Sequence, residues 1–472
     1  MNIKINTRVE KDLLGHKEIP AHCYYGVQTL RALENFNLSP NKLNQFPVFI
    51  NALAMVKAAC AEANFKLNKL EENKYNAIQY ACEQIINYKY HDQFPIDMIQ
   101  GGAGTSTNMN INEVLANIGL EHLEHLKGEY HYLHPNNDIN MSQSTNDVYP
   151  TAIKVGLIFA IEQLNSPFQN LIQSFKNKSD EFSHILKMGR TQLQDAVPMT
   201  LGQEFGAFAN TLQNDLNKLN DIMPSALSVV NLGGTAIGTG INTEVKYREC
   251  AIAALSEITQ KQISSSPDLI EATSDMGDFV LLSSFLKRTA TKLSKIANDL
   301  RLLSSGPRTG LNEIHLEPRQ PGSSIMPGKV NPVIPEAMNL VCFQVIANDL
   351  AITLAAEAGQ LQLNAMEPLI AFKLFESIDL LGKAMQMFQH KCIENIRANA
   401  EHCQANVDNS IGIITALNPY LGYETTTRIA KQANETGQSV LALIKAENLL
   451  SDQLLADVLS IKNMVHPQQS LS

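Results

Sequence analysis

Residues 205–219 read FGAFANTLQNDLNKL. The apolar side chains Phe205, Phe208, Leu212, Leu216 and Leu219 step by 3, 4, 4 and 3, which lines them up along one side of an α-helix. The same cadence returns at Leu293, Ile296, Leu300 and Leu303, where SSGPRTG stops it with Gly306 and Pro307. A further helical pattern starts at Pro335 and continues through Val341, Val345, Asn348 and Ile352. Alternating β-branched runs bounded by turns hardly occur. These patterns predict a mainly α fold, with a central long-helix bundle over residues 146–400 between an N-terminal domain (1–145) and a C-terminal domain (401–472). Apolar residues on more than one face of these helices imply several packing neighbours each, from the same chain or from other subunits.

Bulk properties narrow the function. With 472 residues, 44% of them apolar and 18% charged, the chain has ample material for a buried core and no disordered composition. The N-terminal MNIKINTRVEKDLLG carries charge in every turn and lacks a secretory apolar core, so export is not expected. No stretch reaches about 18 uninterrupted apolar residues and the better candidates, such as VFINALAMV, are half that length, so no membrane partner is expected. Seven scattered cysteines with no C-x-x-C pair read as reduced thiols of a cytoplasmic protein. A net charge of −10 with no basic cluster opposes nucleic-acid binding, and an anionic ligand would need a local positive site.

Three segments share a polar loop running into a helical pattern. In GGAGTSTNMNINEVLANIG, Thr105, Ser106 and Thr107 precede Ile111, Leu115 and Ile118; in MSQSTNDVYPTAIKVG, Ser144, Thr145 and Asn146 precede Pro150, read here as a first-turn proline. In GRTQLQDAVPMTLGQEFG, Thr191 and Gln192 lie ahead of Pro198 and the Phe205 seam. Capping alone explains one such side chain per helix. Each loop offers two or more, and surplus hydroxyls and amides beside the free N–H groups of a helix start suit a carboxylate.

The stretch PGSSIMPGKVNP, residues 321–332, interrupts the helical patterns with three prolines, two glycines and paired serines. Gly322 and Gly328 open backbone conformations that Pro321, Pro327 and Pro332 restrict, as expected of a lid that moves as a unit. A plain connection has no need of Ser323, Ser324, Lys329 and Asn331 together.

This stretch resembles the signature of the aspartase/fumarase superfamily, whose members eliminate a group across a C–C bond to release fumarate. The likeness extends over nearly the whole chain: DLLGHKEIPAHCYYGVQTLRALENF, GAGTSTNMNINEV, NNDINMSQSTNDVYPT, GRTQLQDAVPMTLGQEF, NLGGTAIGTGIN, the signature, AAEAGQLQLNAMEP and NSIGIITALNP, in that order. The resemblance implies that Ser323, as an alkoxide supported by backbone N–H groups and Lys329, removes a proton from C3 of a small dicarboxylate. It implies that Thr105, Ser144, Thr145, Asn146, Thr191, Gln192, Ser324, Lys329 and Asn331 surround that substrate; no cofactor and no metal ligand is read from the sequence. It also implies a homotetramer with a shared helical core and active sites built from three subunits.

Within the family, hydratases usually carry His after GRT and a second Ser in the SQSTND motif, where this chain has Gln192 and Thr145. Ammonia leaves without the proton donor that hydroxide requires, and a glutamine cannot be that donor. The expected reaction is therefore loss of ammonia from L-aspartate, with fumarate hydration as the alternative. A non-catalytic helical assembly is a third reading, opposed by the intact Ser323, Lys329 and Asn331. Elsewhere, His122, His125, His131 and His134 read as solvated or capping side chains, not metal ligands. GGTAIGTG reads as a turn between helices, since it lacks the ending of a phosphate loop. Glu336 reads as a first-turn acid or a partner of Lys329.

Overall fold

The computed structural model describes residues 6–465. The chain opens with a hairpin of β1 (Thr7–Asp12) and β2 (Gly15–Pro20), then α1 (Val27–Asn35), α2 (Pro47–Lys66), α3 (Glu72–Ile86), α4 (Thr105–His122) and α5 (Thr145–Glu181). A second hairpin, β3 (Leu186–Thr191) and β4 (Gln194–Thr200), leads into α6 (Leu201–Leu227), α7 (Tyr247–Thr259), α8 (Glu271–Ser274) and α9 (Gly277–Leu303). Then come α10 (Val333–Glu357), α11 (Glu367–Lys391), α12 (Ala400–Asn409) and α13 (Asn418–Thr436), followed by shorter helices. Every sheet among the described residues has two strands, so the fold is mainly α.

The chain divides into two compact units. The first holds residues up to 165, 217–288 and 344–381; the second holds 166–216, 289–343 and 382 onward. The five long helices α5, α6, α9, α10 and α11 each contribute residues to both.

In the first unit Phe49 of α2 stacks on Phe375 of α11 at 5.0 Å and meets Tyr149 of α5 at 5.7 Å. Phe375 fits because α5 has Gly156 opposite it, where a Cβ would sit 2.8 Å from the ring. In the second unit the predicted seam is the core. Phe205 lies 5.3 Å from Phe182 and 6.2 Å from Phe175, which also meets Phe208 and Phe388. The α5 and α6 backbones approach closely because a Cβ on Gly202 would stand 2.4 Å from Ser179 O. Leu293, Ile296, Leu300 and Leu303 are all buried, and α9 ends at Leu303, ahead of SSGPRTG. A separate cluster built from Leu186, Met188, Val407, Leu417, Ile429 and Ile444 forms the C-terminal core.

By length and composition α2 and α10 could each cross a bilayer, although neither contains an uninterrupted apolar run of that length. α2 is a core helix, with 78% of its apolar window buried. The buried side of α10 holds Met338, Cys342, Val345 and Ile352 together with two asparagines: Asn339 Nδ2 donates to Ser294 Oγ at 2.9 Å, and Asn348 Nδ2 to Ser377 Oγ at 3.0 Å. The opposite side exposes Leu340, Phe343, Ala347, Leu350 and Leu354, stepping by 3, 4, 3 and 4.

Phe205 is fully buried, so Phe205→Ala should lower stability by about 3–5 kcal/mol through lost burial and the cavity left behind. Differential scanning calorimetry checks this; a change below about 1 kcal/mol would contradict the packing described.

Candidate functional site

The first unit carries four of the ten candidate residues, at two helix starts. α4 begins at Thr105 after Ala103 and Gly104, both in the left-handed region. Only glycine fits at 104, since a Cβ there would come within 2.6 Å of the Tyr149 ring. Gln100 Oε1 takes the N–H of Thr107 at 3.2 Å and its hydroxyl at 3.1 Å, doing the work of a cap from outside the helix. Among the described residues the exposed Thr105 has no side-chain hydrogen bond, so its hydroxyl is surplus to capping.

The start of α5 is a capping box. Asn146 N–H donates to Ser144 Oγ at 3.2 Å, and Ser144 N–H donates to Asp147 Oδ1 at 2.9 Å. Ser144 Oγ is engaged as an acceptor while its own proton stays available. The same holds for Thr145, whose Oγ1 accepts from Asn108 Nδ2 at 3.1 Å. Asn146 Nδ2 donates to Ala236 O at 2.7 Å, which leaves its second N–H and its oxygen for other partners. Pro150 lies in the second helical turn, not the first, because α5 already starts at Thr145. Its missing N–H leaves Asn146 O free, and Asn231 Nδ2 occupies that oxygen at 2.9 Å.

Segment 233–240 does more than turn the chain. The N–H groups of Gly233 and Thr235 donate to Asp147 Oδ2 at 3.0 and 3.1 Å, so it braces the α5 start from behind. Burial pushes the Asp147 carboxyl up to about 6 against the opposing pull of these backbone donors.

The second unit carries the other six. Thr191 and Gln192 are not at a helix start: Thr191 closes β3, Gln192 and Leu193 form a two-residue turn, and α6 begins only at Leu201. Both turn residues are left-handed, with φ of 53° and 63°, the geometry that matches the twist of a hairpin. Asn-Gly, the sequence signal for such a turn, is absent, which is why the strands read as helix entry.

The 321–332 loop is tied across its base. Gly322 N–H donates to Lys329 O at 2.9 Å and Asn331 Nδ2 donates to Gly322 O at 2.8 Å. A Cβ on Gly322 would meet Lys329 O at 2.6 Å, so glycine permits the closure. Inside the loop Ser323 Oγ accepts the N–H of Ile325 at 3.2 Å and of Met326 at 3.1 Å. These are the backbone donors expected to support an alkoxide. Ser324 and Lys329 are exposed, and no hydrogen bond joins Lys329 to Ser323 among the described residues. Glu336 is a first-turn acid of α10, its N–H donating to Pro332 O at 3.2 Å.

Three of the four histidines cap or stack, and the exposed His131 lies against the Tyr132 ring. His134 Nδ1 accepts the N–H groups of Asn136 and Asn137, capping the turn at Pro135–Ile139, while His122 stacks on Tyr80 and His125 on Tyr132.

Residues 15–347 match the protein family described as Lyase, and residues 413–466 match Fumarase C C-terminus. The chain is 62% identical over 463 residues to an aspartate ammonia-lyase of Pseudomonas aeruginosa, covering 98% of each protein. It is similar to the crystal structure of fumarate lyase:delta crystallin from Brucella melitensis bound to cobalt, with TM-score 0.95 and 53% identity over 98% of this chain and 100% of that one. The class II fumarase of Schistosoma mansoni has the same fold at TM-score 0.91 and 33% identity, with the same coverage.

Pattern reading missed the layer beneath the two helix starts. Lys57 of α2, 1% exposed, donates to Asn140 Oδ1 at 2.9 Å and Gln143 Oε1 at 2.8 Å. The same Asn140 oxygen accepts from Asn108 and Asn112, which links Lys57 to Thr145 through amides alone. A lone lysine in an apolar helical run carries no signal that it is buried with neutral partners. Burial pushes its ammonium down to about 8. Since that lies below the usual lysine value, the buried charge opposes folding up to about pH 8, and the opposition fades as pH rises further. Urea unfolding midpoints of the wild type should therefore gain on those of Lys57→Met between pH 8 and 10; parallel profiles would mean that Lys57 does not titrate there.

Proposed function

The chain belongs to the aspartase/fumarase superfamily of lyases, and on that premise we propose how its residues remove ammonia from L-aspartate to give fumarate. It is a carbon–nitrogen lyase. The likeness to an aspartate ammonia-lyase is 62%, against 33% for the fumarase, and Gln192 stands where hydratases usually carry a proton-donating histidine.

One observation carries the mechanism: Ser323 Oγ already accepts two backbone N–H groups in a loop fastened at its own base. With the loop closed over substrate, Ser323 as alkoxide takes the C3 proton and becomes a hydroxyl. The electron pair moves into the adjacent carboxylate, giving an aci-carboxylate with one more negative charge. That charge returns to form the C2–C3 double bond while the C2–N bond breaks and ammonia leaves as a neutral molecule. Thr105, Ser144, Thr145 and Asn146 supply short, fixed donors to the carboxylates; Thr191, Gln192, Ser324, Lys329 and Asn331 complete the enclosure. Donors oriented before the reaction stabilise developing charge with little reorganisation.

Ser323→Ala should fold normally and lose at least about 10²- to 10³-fold in rate. The assay follows fumarate absorbance with aspartate, with malate, and with neither. Near-normal turnover of aspartate by the variant would refute the assignment of the base, and product from malate alone would favour the hydratase.

We also infer a homotetramer whose active sites draw residues from three subunits. The exposed stripe Leu340, Phe343, Ala347, Leu350 and Leu354 supports it, since a line of large apolar groups at heptad spacing fits a second helix of the same kind. The reading places the enzyme in the cytoplasm, where its seven unpaired cysteines stay reduced. Sedimentation should give about four times the chain mass of 52.1 kDa. The double variant Phe343→Glu, Leu350→Glu should sediment as smaller species with little activity; an active monomer would defeat the shared-site reading.

A further inference from the structure

Glu313, in the segment after α9, is fully buried in the second unit, and no role in the mechanism uses it. Its backbone is pinned on both sides. The N–H donates to Leu303 O at 2.9 Å, and the carbonyl accepts the N–H of Asn399 at 2.9 Å and the thiol of Cys403 at 3.6 Å. Its carboxylate lies 2.8 Å from Lys187 Nζ and 2.7 Å from the Arg190 guanidinium, as close ion pairs whose angles fall short of hydrogen bonds. Lys187 pairs in turn with Glu204 at 2.5 Å, so two cations and two anions form a neutral quartet.

The two cations both stand on β3, three positions apart. In a regular strand that odd spacing sends them to opposite faces. They reach one carboxylate because β3 bulges between Met188 and Arg190, at Gly189, where a Cβ would meet Val197 O at 2.9 Å. Directly beyond the bulge come Thr191 and the left-handed Gln192–Leu193 turn, all exposed. Behind the hairpin is a cavity of about 190 Å³, lined by Lys187, Arg190, Leu193, Glu204, Lys295 and Leu303 among others. Leu186 and Met188 pack the root of the hairpin into the C-terminal core, whereas on the cavity side, where Lys187 and Arg190 stand, the quartet takes the place of packing. Buried ion pairs are weak stabilisers compared with apolar packing of the same volume, so the advantage of this cluster is direction.

We propose that Glu313 is a positioning residue for the reaction: by clamping Lys187 and Arg190 across the bulge, it aims the hairpin tip that presents Thr191 and Gln192 to substrate. The proposal rests on the assignment of those two residues as substrate ligands.

Two variants test it. Glu313→Gln removes the shared anion, and the double variant Glu313→Gln, Lys187→Met removes one charge of each sign so that the buried cluster stays neutral. Amide hydrogen exchange reads the hairpin directly: residues 190–195 should exchange about tenfold faster in both variants while the amides of α9 keep wild-type protection. With L-aspartate, KM should rise about tenfold while kcat at saturation falls less than about threefold, since a misaimed tip weakens capture more than the proton transfer made by Ser323. Unchanged exchange at the tip, unchanged KM, or failure of the neutral double variant to fold would each overturn the proposal. A wild-type enzyme inactive on aspartate would instead sink the site assignment, and the exchange measurement would still decide whether Glu313 holds the hairpin.

Discussion

An α-helix pairs all its backbone N–H groups except those of the first turn, and this limits where a chain of net charge −10 can receive a dianion. The starts of α4 and α5 meet the limit differently. At α4, a left-handed glycine and an outside glutamine take over the capping, which leaves the Thr105 hydroxyl uncommitted. At α5, a Ser–Asp box caps the helix through the serine oxygen and leaves the serine proton free. Behind both lies a layer of amides and one ammonium with defined partners, so the donors are placed by folding and not by the ligand.

What the sequence discloses follows from how local the cause is. Helical seams are local, and Phe205 to Leu219 and Leu293 to Leu303 are buried as their spacing implies. The 321–332 loop was legible because glycine, proline and paired serines have few other uses in that density. The β3–β4 hairpin was not. Its turn is built from Gln192 and Leu193, residues that rarely adopt positive φ, and its strands are only six and seven residues long. Lys57, Asp147 and Glu313 were equally hidden, because each matters through partners between 80 and 130 positions away or through burial, neither of which leaves a periodic trace.

Two features of the chain remain unfinished within one subunit. The α10 stripe exposes leucines and a phenylalanine while burying asparagines, and the hairpin tip holds two strained residues in the open. A left-handed non-glycine residue costs about 1–3 kcal/mol and persists where its surroundings over-determine it. At the tip those surroundings are the quartet around Glu313 below it and, in the proposed tetramer, the substrate and neighbouring subunits that the proposal places above it. In the same proposal, the stripe is the apolar contact that brings such neighbours together.

Magnitudes show why the serine loop cannot act alone. A hydroxyl of water-like acidity lies far above neutral pH in pKa and is about 12 kcal/mol from half-ionisation at pH 7, at about 1.36 kcal/mol per pKa unit. Two charge-assisted N–H bonds at about 1.5–3 kcal/mol each supply a quarter to a half of that. The rest has to come from a cation and from exclusion of water, because a charge interaction at 4 Å grows from about 1 kcal/mol in water to about 4 kcal/mol near a protein surface. Lys329, on the same loop and without a carboxylate partner among the described residues, is the cation at hand. Under the proposed mechanism the fastening of Gly322 to Lys329 and Asn331 has a meaning: base, cation and backbone donors would travel as one piece, and the serine would become a base only once that piece had closed on a substrate.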